Sequence, residues 1–136
     1  MPQANEKSIW TETFIADADL SEKQYFAVRQ GAAEGGIALV NGATDIPVGI
    51  LLNQPKAGQE ALVCVIGRCP VKLGGTVSAG GLIMSHTDGT LKAFVPKVTD
   101  NTKYGIGQCT RGGAINEVGE ALIQAAIPVK GDQTAA

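Results

Sequence analysis

Aromatic residues and clusters of basic residues are both scarce in this sequence, and each shortage argues against a class of function. Aromatics make up 4% of the chain, too few to supply the stacked rings of a single-stranded nucleic-acid groove. The three arginines, Arg29, Arg68 and Arg111, are scattered along the chain, and the formal net charge is -2. Because no basic patch is available to bind phosphates, we expect no nucleic-acid partner.

Long apolar runs are absent as well. No stretch approaches the ~20 apolar residues that a membrane-spanning helix requires. The N-terminal sequence MPQANEKSIW has no basic region followed by an apolar one, so it does not resemble a signal peptide. These features predict a protein without a membrane partner that is synthesised in a cytoplasm.

Few residues are typical of catalysis or metal binding. Cys64, Cys69 and Cys109 form no C-x-x-C pair, and the Cys64–Cys69 spacing fits neither a zinc knuckle nor a redox motif. We expect all three to be buried, reduced thiols. The single histidine, His86, directly precedes an Asp-Gly turn, which gives it no reason to form a relay with Ser85. We predict no enzyme, metal or cofactor; the alternative is a small hydrolase using His86 with Ser85 or a cysteine.

The sequence is instead rich in glycine, with 18 residues, and in short apolar runs between turn signals. This spacing is typical of small β-barrels and sandwiches, and no segment has the length and period of a sizeable helix. We therefore predict one mainly all-β domain, a small barrel or sandwich of short strands with at most one short helical turn over Leu20–Lys23. The predicted strands are Tyr25–Arg29, Ile37–Val40, Val48–Asn53, Ala61–Ile66, Cys69–Leu73, Leu82–Met84, Leu91–Val95, Tyr104–Cys109 and Ala121–Ile127.

Bulky apolar side chains are concentrated in an otherwise polar N-terminal segment. They are Ile9, Trp10, Phe14 and Ile15. Because exposed large apolar groups mark contacts, this segment is either a strand of its own domain or an arm that docks on a neighbour. We divide the chain into an N-terminal arm (residues 1–17), a β-rich domain (18–129) and a C-terminal tail (130–136).

Two stretches of the chain share a pattern. VGILLNQPKAGQEALVCVI is similar to IGQCTRGGAINEVGEALIQAAI, with Gly49 matching Gly107 and Glu60-Ala61-Leu62 matching Glu120-Ala121-Leu122. Two similar hairpins packed across a small barrel would produce this similarity, and so would coincidence in a chain rich in Gly and Ala.

The order of motifs from Ala18 to Ile127 resembles a known family. ADLSEKQYFAVRQ is similar to an opening Asp-Leu-Ser-x-x-Gln-Tyr-x-x-Val segment, IPVGILLNQP to a central Pro-x-Gly-Ile/Val-Leu-x-Asn-x-Pro hairpin, and YGIGQC…GEALIQAAI to a closing hairpin. This order resembles the small capsid decoration (cement) proteins of tailed bacteriophages, long catalogued as a domain of unknown function.

The resemblance implies a non-enzymatic protein of the virion. It would be made in the host cytoplasm and bind the outside of the assembled head, where it stabilises contacts between major capsid protein subunits. Its partners would be the major capsid protein and itself, as a homotrimer at three-fold and quasi-three-fold positions. The alternative is a particle-displayed β-domain that binds carbohydrate or a host surface through an exposed aromatic platform, for which the candidates are Tyr25, Phe26, Phe94 and Tyr104.

Two groups of residues are the predicted capsid contacts. The first is the apolar set Ile9, Trp10, Phe14 and Ile15, which would anchor the arm; we expect deletion of residues 1–16 to leave a folded chain that no longer binds. The second is the loop Asn53–Gln59, where Asn53, Gln54 and Lys56 are possible hydrogen-bond donors and Pro55 stiffens the backbone.

Overall fold

The computed structural model describes residues 9–42, 45–85, 87–94 and 103–129. This part of the chain consists of strands joined by turns, without a helix, which confirms the predicted all-β fold class. It therefore contains no helix that could cross a membrane. The strands are β1 (Trp10–Ala16), β2 (Ala27–Gln30), β3 (Gly36–Leu39), β4 (Pro47–Leu51), β5 (Glu60–Lys72), β6 (Leu82–Ser85), β7 (Leu91–Ala93), β8 (Lys103–Arg111) and β9 (Val118–Val129).

The first five strands close into a small barrel. They follow the order β1–β3–β2–β4–β5, and β5 also pairs with β1 to complete the ring. The closing pair is antiparallel and extends from Trp10 opposite Ile66 to Ile15 opposite Glu60. β1 and β3 run parallel, with Ile15 opposite Gly36, whereas the other neighbours in the ring are antiparallel. β1 is therefore one of the five strands that form the barrel.

The position of β1 distinguishes between the two interpretations of the N-terminal segment. Residues 10–16 form a strand of the chain's own domain rather than an extension that projects from it. Residues 1–8 and the predicted tail, 130–136, lie outside the described residues.

β5 is longer than the sequence predicts and belongs to both halves of the molecule. The sequence predicts two strands, Ala61–Ile66 and Cys69–Leu73, but one continuous strand of 13 residues is observed. Its first half pairs with β1 and β4, and its second half pairs with β9 in a second sheet of order β5–β9–β8–β6–β7. Gly67 lies where the partner changes and has φ 125°, a conformation that L side chains rarely adopt. The glycine therefore permits a change of direction within the strand rather than ending it.

Two hydrophobic cores result from this arrangement, and β4 and β5 contribute to both. Leu51 and Val63 belong to the barrel core, whereas their neighbours Ile50 and Cys64 belong to the core of the second sheet. Successive side chains of a strand point to opposite faces, so these strands are buried on both sides. The second sheet curls back toward β5 through a bridge between Leu73 and Leu91.

Several boundaries differ from those predicted. The stretch Leu20–Lys23 is a single turn, in which the Lys23 N–H donates to the Leu20 carbonyl at 3.0 Å, and not a helix. β2 begins at Ala27 rather than Tyr25, because Tyr25 has a φ of 74° and leaves the extended conformation there. His86 and Val95 lie outside the described residues.

The two similar sequence stretches occupy similar positions. They form the β4–β5 and β8–β9 hairpins, in which Ala61 and Ala121 are buried while Leu62 and Leu122 are exposed. A Cβ at Gly49 or at Gly107 would overlap a backbone carbonyl of the following strand, so both glycines permit close approach of the paired strands.

Candidate functional site

The first exposed surface lies at the beginning of β1. Trp10 and Ile66 are opposite each other on β1 and β5 and are 59% and 45% exposed. Ile9 is 43% exposed and lies against Gly67, because a Cβ there would be 2.9 Å from the Ile9 Cα. The Trp10 indole Nε1 donates a hydrogen bond of 2.5 Å to the Glu12 carboxylate. These residues form the Ile9–Trp10–Ile66 cluster, which contains two of the four predicted anchor residues.

The other two anchor residues lie further along β1. Phe14 is half-buried and packs against the barrel core, so it contributes to the fold. Ile15 is exposed opposite Glu60, at the other end of the strand and about 17 Å from Trp10 at ~3.3 Å per residue. The four residues therefore do not form one patch.

The predicted contact loop meets this second end of β1. The Gly58 N–H donates to the Ala16 carbonyl, and the Ala16 N–H donates to the Gln59 carbonyl, each at 2.9 Å. Pro55 is buried, and its carbonyl accepts a hydrogen bond from the Leu20 N–H. The loop is thus held against the barrel, next to Ile15.

The three polar residues of this loop are placed differently. The Asn53 side chain bridges the base of the loop, since its Nδ2 donates to the Glu60 carbonyl and its Oδ1 accepts from the Leu62 N–H, both at 3.0 Å. The Gln54 amide donates to the Gln24 side chain at 3.0 Å. Lys56 is exposed. Asn53 therefore shapes the loop, while Gln54 and Lys56 lie on its exposed part.

Lys56 also lies near an acidic turn. Hydrogen bonds from the Ser21 side chain and backbone lower the pKa of Asp19, and the positive charge of Lys56 lowers it further. The Ser21 N–H to Asp19 Oδ1 distance is 3.0 Å. We name Ile15, Leu62, Gln54 and Lys56 the loop-end surface.

A third exposed surface is not predicted from the sequence. Four residues form a row across the second sheet. Arg68 on β5 pairs with Leu122 on β9, Leu122 also pairs with Gln108 on β8, and Gln108 pairs with Leu82 on β6. Leu122 and Leu82 are 47% and 55% exposed. Glu120 pairs with Arg68 at 3.2 Å, so the two charges neutralise each other. We name this row the outer face.

A weak signal for the outer face is present in β9. The sequence VGEALI places Ala121 and Ile123 toward the core, and Val118 and Leu122 away from it. A strand with apolar residues on both faces is normally interpreted as buried on both faces. The sequence therefore does not reveal that one face of β9 is exposed.

The residues considered for a metal site or a hydrolase are described only in part. Among residues 9–42, 45–85, 87–94 and 103–129, no group of three or more His, Cys, Asp or Glu could hold a metal ion. Ser85 is buried, which separates it from solvent, and His86 lies outside the described residues.

The aromatic residues required for a carbohydrate platform are not exposed together either. Phe94 is buried, and Tyr25, Phe26 and Tyr104 are half-buried. The Lys23 ammonium covers Phe26, at 5.1 Å from the ring centre. None of these four rings is fully exposed.

Comparison with known proteins gives a similarity of fold. No family model and no curated protein matches the chain. Among solved structures, it is similar to the head fiber gp8.5 N base of bacteriophage phi29, with a TM-score of 0.63 and 13% sequence identity. The match covers 90% of this chain and 100% of the other. The two chains share a fold over nearly their whole length.

Proposed function

We propose that this chain is a structural protein of a phage virion, bound to the outer surface of the assembled head, where it stabilises contacts between major capsid protein subunits. The observation that carries the proposal is the fold shared with the base of a phage head fiber over 90% of this chain. The order of sequence motifs, which resembles that of capsid decoration proteins, supports the same conclusion. Fold alone does not specify function, so the surface must also suit the role.

The described surface carries exposed apolar side chains that are suited to contact with another protein. The described residues present large apolar side chains on the Ile9–Trp10–Ile66 cluster, the loop-end surface and the outer face. Exposed apolar groups in such clusters mark sites of protein–protein contact. We propose that Ile9 and Trp10 anchor the chain on a capsid subunit, that Gln54 and Lys56 add polar contacts, and that the role is non-enzymatic.

The small exposed apolar area of each cluster limits the binding free energy that one cluster can contribute. Burying a whole Ile or Leu side chain contributes about 1.5–3 kcal/mol, so a side chain that is half exposed has roughly 1 kcal/mol still to contribute. The Ile9–Trp10–Ile66 cluster would provide roughly 3 kcal/mol, below the roughly 4 kcal/mol of a millimolar complex. One copy bound by one cluster would dissociate readily. We therefore propose that copies act together, as homotrimers at three-fold and quasi-three-fold positions of the shell.

Co-sedimentation with purified heads of the phage that encodes the chain tests this function. The wild-type protein is expected to sediment with heads in a saturable manner. Replacement of Trp10 by Ala is expected to weaken binding at least about tenfold, because a loss of ~1.4 kcal/mol in a single copy is already tenfold and the losses of the other copies in a trimer add to it.

Ile46→Ala is the matched control, since Ile46 is 57% exposed, like Trp10, but lies outside the three named surfaces. It is expected to bind as the wild type does. Wild-type protein that stays in the supernatant at every concentration would refute head binding. If the two variants lose binding affinity for heads equally, only the role of Trp10 is refuted.

A further inference from the structure

The connection between β3 and β4 contains an asparagine followed directly by a glycine, Asn41 and Gly42. This connection crosses β2, because β2 lies between β3 and β4 in the barrel. Asn41 is exposed, and within the described part of the chain only its backbone N–H, not its side chain, forms a hydrogen bond. The side-chain amide of Asn41 is therefore open to water and free to rotate.

Asp45 closes this segment into a turn. Its carboxylate Oδ2 accepts a hydrogen bond of 3.0 Å from the Asn41 N–H, and its own N–H donates to the Gly42 carbonyl at 3.1 Å. The same Oδ2 lies 3.3 Å from the Nε of Arg29 on β2. This Nε also donates to the Leu39 carbonyl at 3.2 Å. The connection is thus fastened to β2 through one carboxylate and one cation.

The fold does not require a glycine at position 42. An Asn-Gly pair is the usual signal of a tight hairpin turn in which both residues have a positive φ. Neither Asn41 nor Gly42 has a positive φ here. A Cβ on Gly42 would have its nearest neighbours at 3.8 Å, in the Asp45 side chain, which is ordinary van der Waals contact. Neither the backbone conformation nor the packing therefore accounts for this glycine.

We propose that Asn41 is a site of spontaneous deamidation, which converts it to isoaspartate or aspartate and adds a second carboxylate to the turn held by Asp45. The Gly42 nitrogen loses its proton and attacks the Asn41 Cγ, an N–C bond forms, the Cγ–Nδ2 bond breaks, and ammonia leaves. Water then opens the cyclic imide at either carbonyl. Because Gly42 has no Cβ, the approach to its nitrogen is unobstructed. Water is the only co-reactant, and nothing is oxidised or reduced.

The product changes both the charge and the length of the turn. A carboxylate at position 41 takes the formal net charge of -2 one unit further negative, and its charge repels that of Asp45. In isoaspartate the main chain passes through the side chain, which inserts one carbon between the two backbone groups that bond Asp45. We therefore expect a weaker Arg29–Asp45 pair and a lower unfolding temperature. These effects depend on this chain alone, so they are measured without capsids and independently of head binding.

Peptide mapping of the folded protein over a time course at neutral pH tests the proposal with an internal control. Trypsin releases a single peptide, 30–56, that contains both Asn41 and Asn53. Asn53 precedes a residue with a side chain, and both ends of its own amide are hydrogen-bonded. We expect a fraction of the peptide in which an amide has become a carboxyl group at position 41 and not at position 53. A sample digested at zero time subtracts change caused by digestion, and an isoaspartate-specific methyltransferase labels the product.

Gly42→Ala is the matched variant, because the backbone and the packing both accept a Cβ there. We expect it to unfold at the wild-type temperature and to be modified at least about tenfold more slowly, a barrier higher by ~1.4 kcal/mol. If it does not fold, the wild-type map alone decides. Synthetic peptide 30–56 is the reference for the rate without a fold. The proposal is wrong if the folded wild-type protein keeps Asn41 while that peptide is converted, if folded Gly42→Ala reacts at the wild-type rate, or if Asn53 reacts as fast as Asn41.

Discussion

At the scale of single residues, Gly67 determines how the two halves of the molecule are joined. It has a positive φ, it lies where β5 changes partner from β1 to β9, and Ile9 packs against it. A glycine between two apolar runs is normally read as the end of a strand, which is why the sequence predicts two strands here. Its conformation and its contact with Ile9 depend on the tertiary structure, so they could not be predicted.

Replacement of Gly67 by Ala is expected to destabilise the fold more than replacement of Gly58 by Ala. Gly58 also has a positive φ, 82°, but a Cβ there would meet no atom within 4 Å. Its variant should lose about 1–2 kcal/mol from backbone strain alone. A Cβ at Gly67 would also lie 2.8 Å from the Ile9 Cγ2, so an additional loss is expected. Urea unfolding of both variants measures the difference, and equal losses would contradict the role given to Gly67.

The sequence predicts the position of Asn53 in a loop correctly, but the structure gives its side chain a different role from the predicted partner contact. The sequence places it in an exposed loop, where an amide side chain is a natural donor to a partner. Its donor and acceptor instead bond the Glu60 carbonyl and the Leu62 N–H across the base of the loop. The sequence cannot reveal such a bridge, because it depends on how β5 returns beside the loop.

At the scale of elements, β1 is the part of the chain whose role changes most. Its apolar residues identify a contact segment, but the contact is first of all with β5, through pairs from Trp10–Ile66 to Ile15–Glu60. Strand type was predictable for most of the chain because apolar runs alternate with glycine turns. Pairing was not, because β1 joins strands that are distant in sequence, and a single strand carries no information about its partner.

Deletion of residues 1–16 is therefore expected to damage the fold, contrary to the expectation from the sequence. It removes β1 and exposes the barrel core that Phe14 and Ala16 help to fill. We expect loss of the cooperative thermal unfolding transition. A deletion of residues 1–8, which ends before β1, is the control and should keep that transition. A cooperative transition of unchanged midpoint after the longer deletion would show that β1 is dispensable.

At the scale of the whole molecule, the proposed role depends on shape and repeated contact rather than on a reactive site. A barrel with a second sheet attached through β5 gives a compact body with apolar clusters on several sides. Each cluster is too small to bind strongly alone, so many copies on a symmetric shell would have to act together. The comparison shows a fold shared with a head-fiber base, and the arrangement of copies on a shell is our proposal.

A cryo-electron microscopy reconstruction of heads, with and without saturating amounts of the protein, tests the central claim most directly. We expect added density on the outer surface, over junctions between capsid subunits at three-fold and quasi-three-fold positions. That density should accommodate the barrel, with the Ile9–Trp10–Ile66 cluster facing the shell. Reconstructions without added outer density, made with protein whose folding has been verified, would contradict the account.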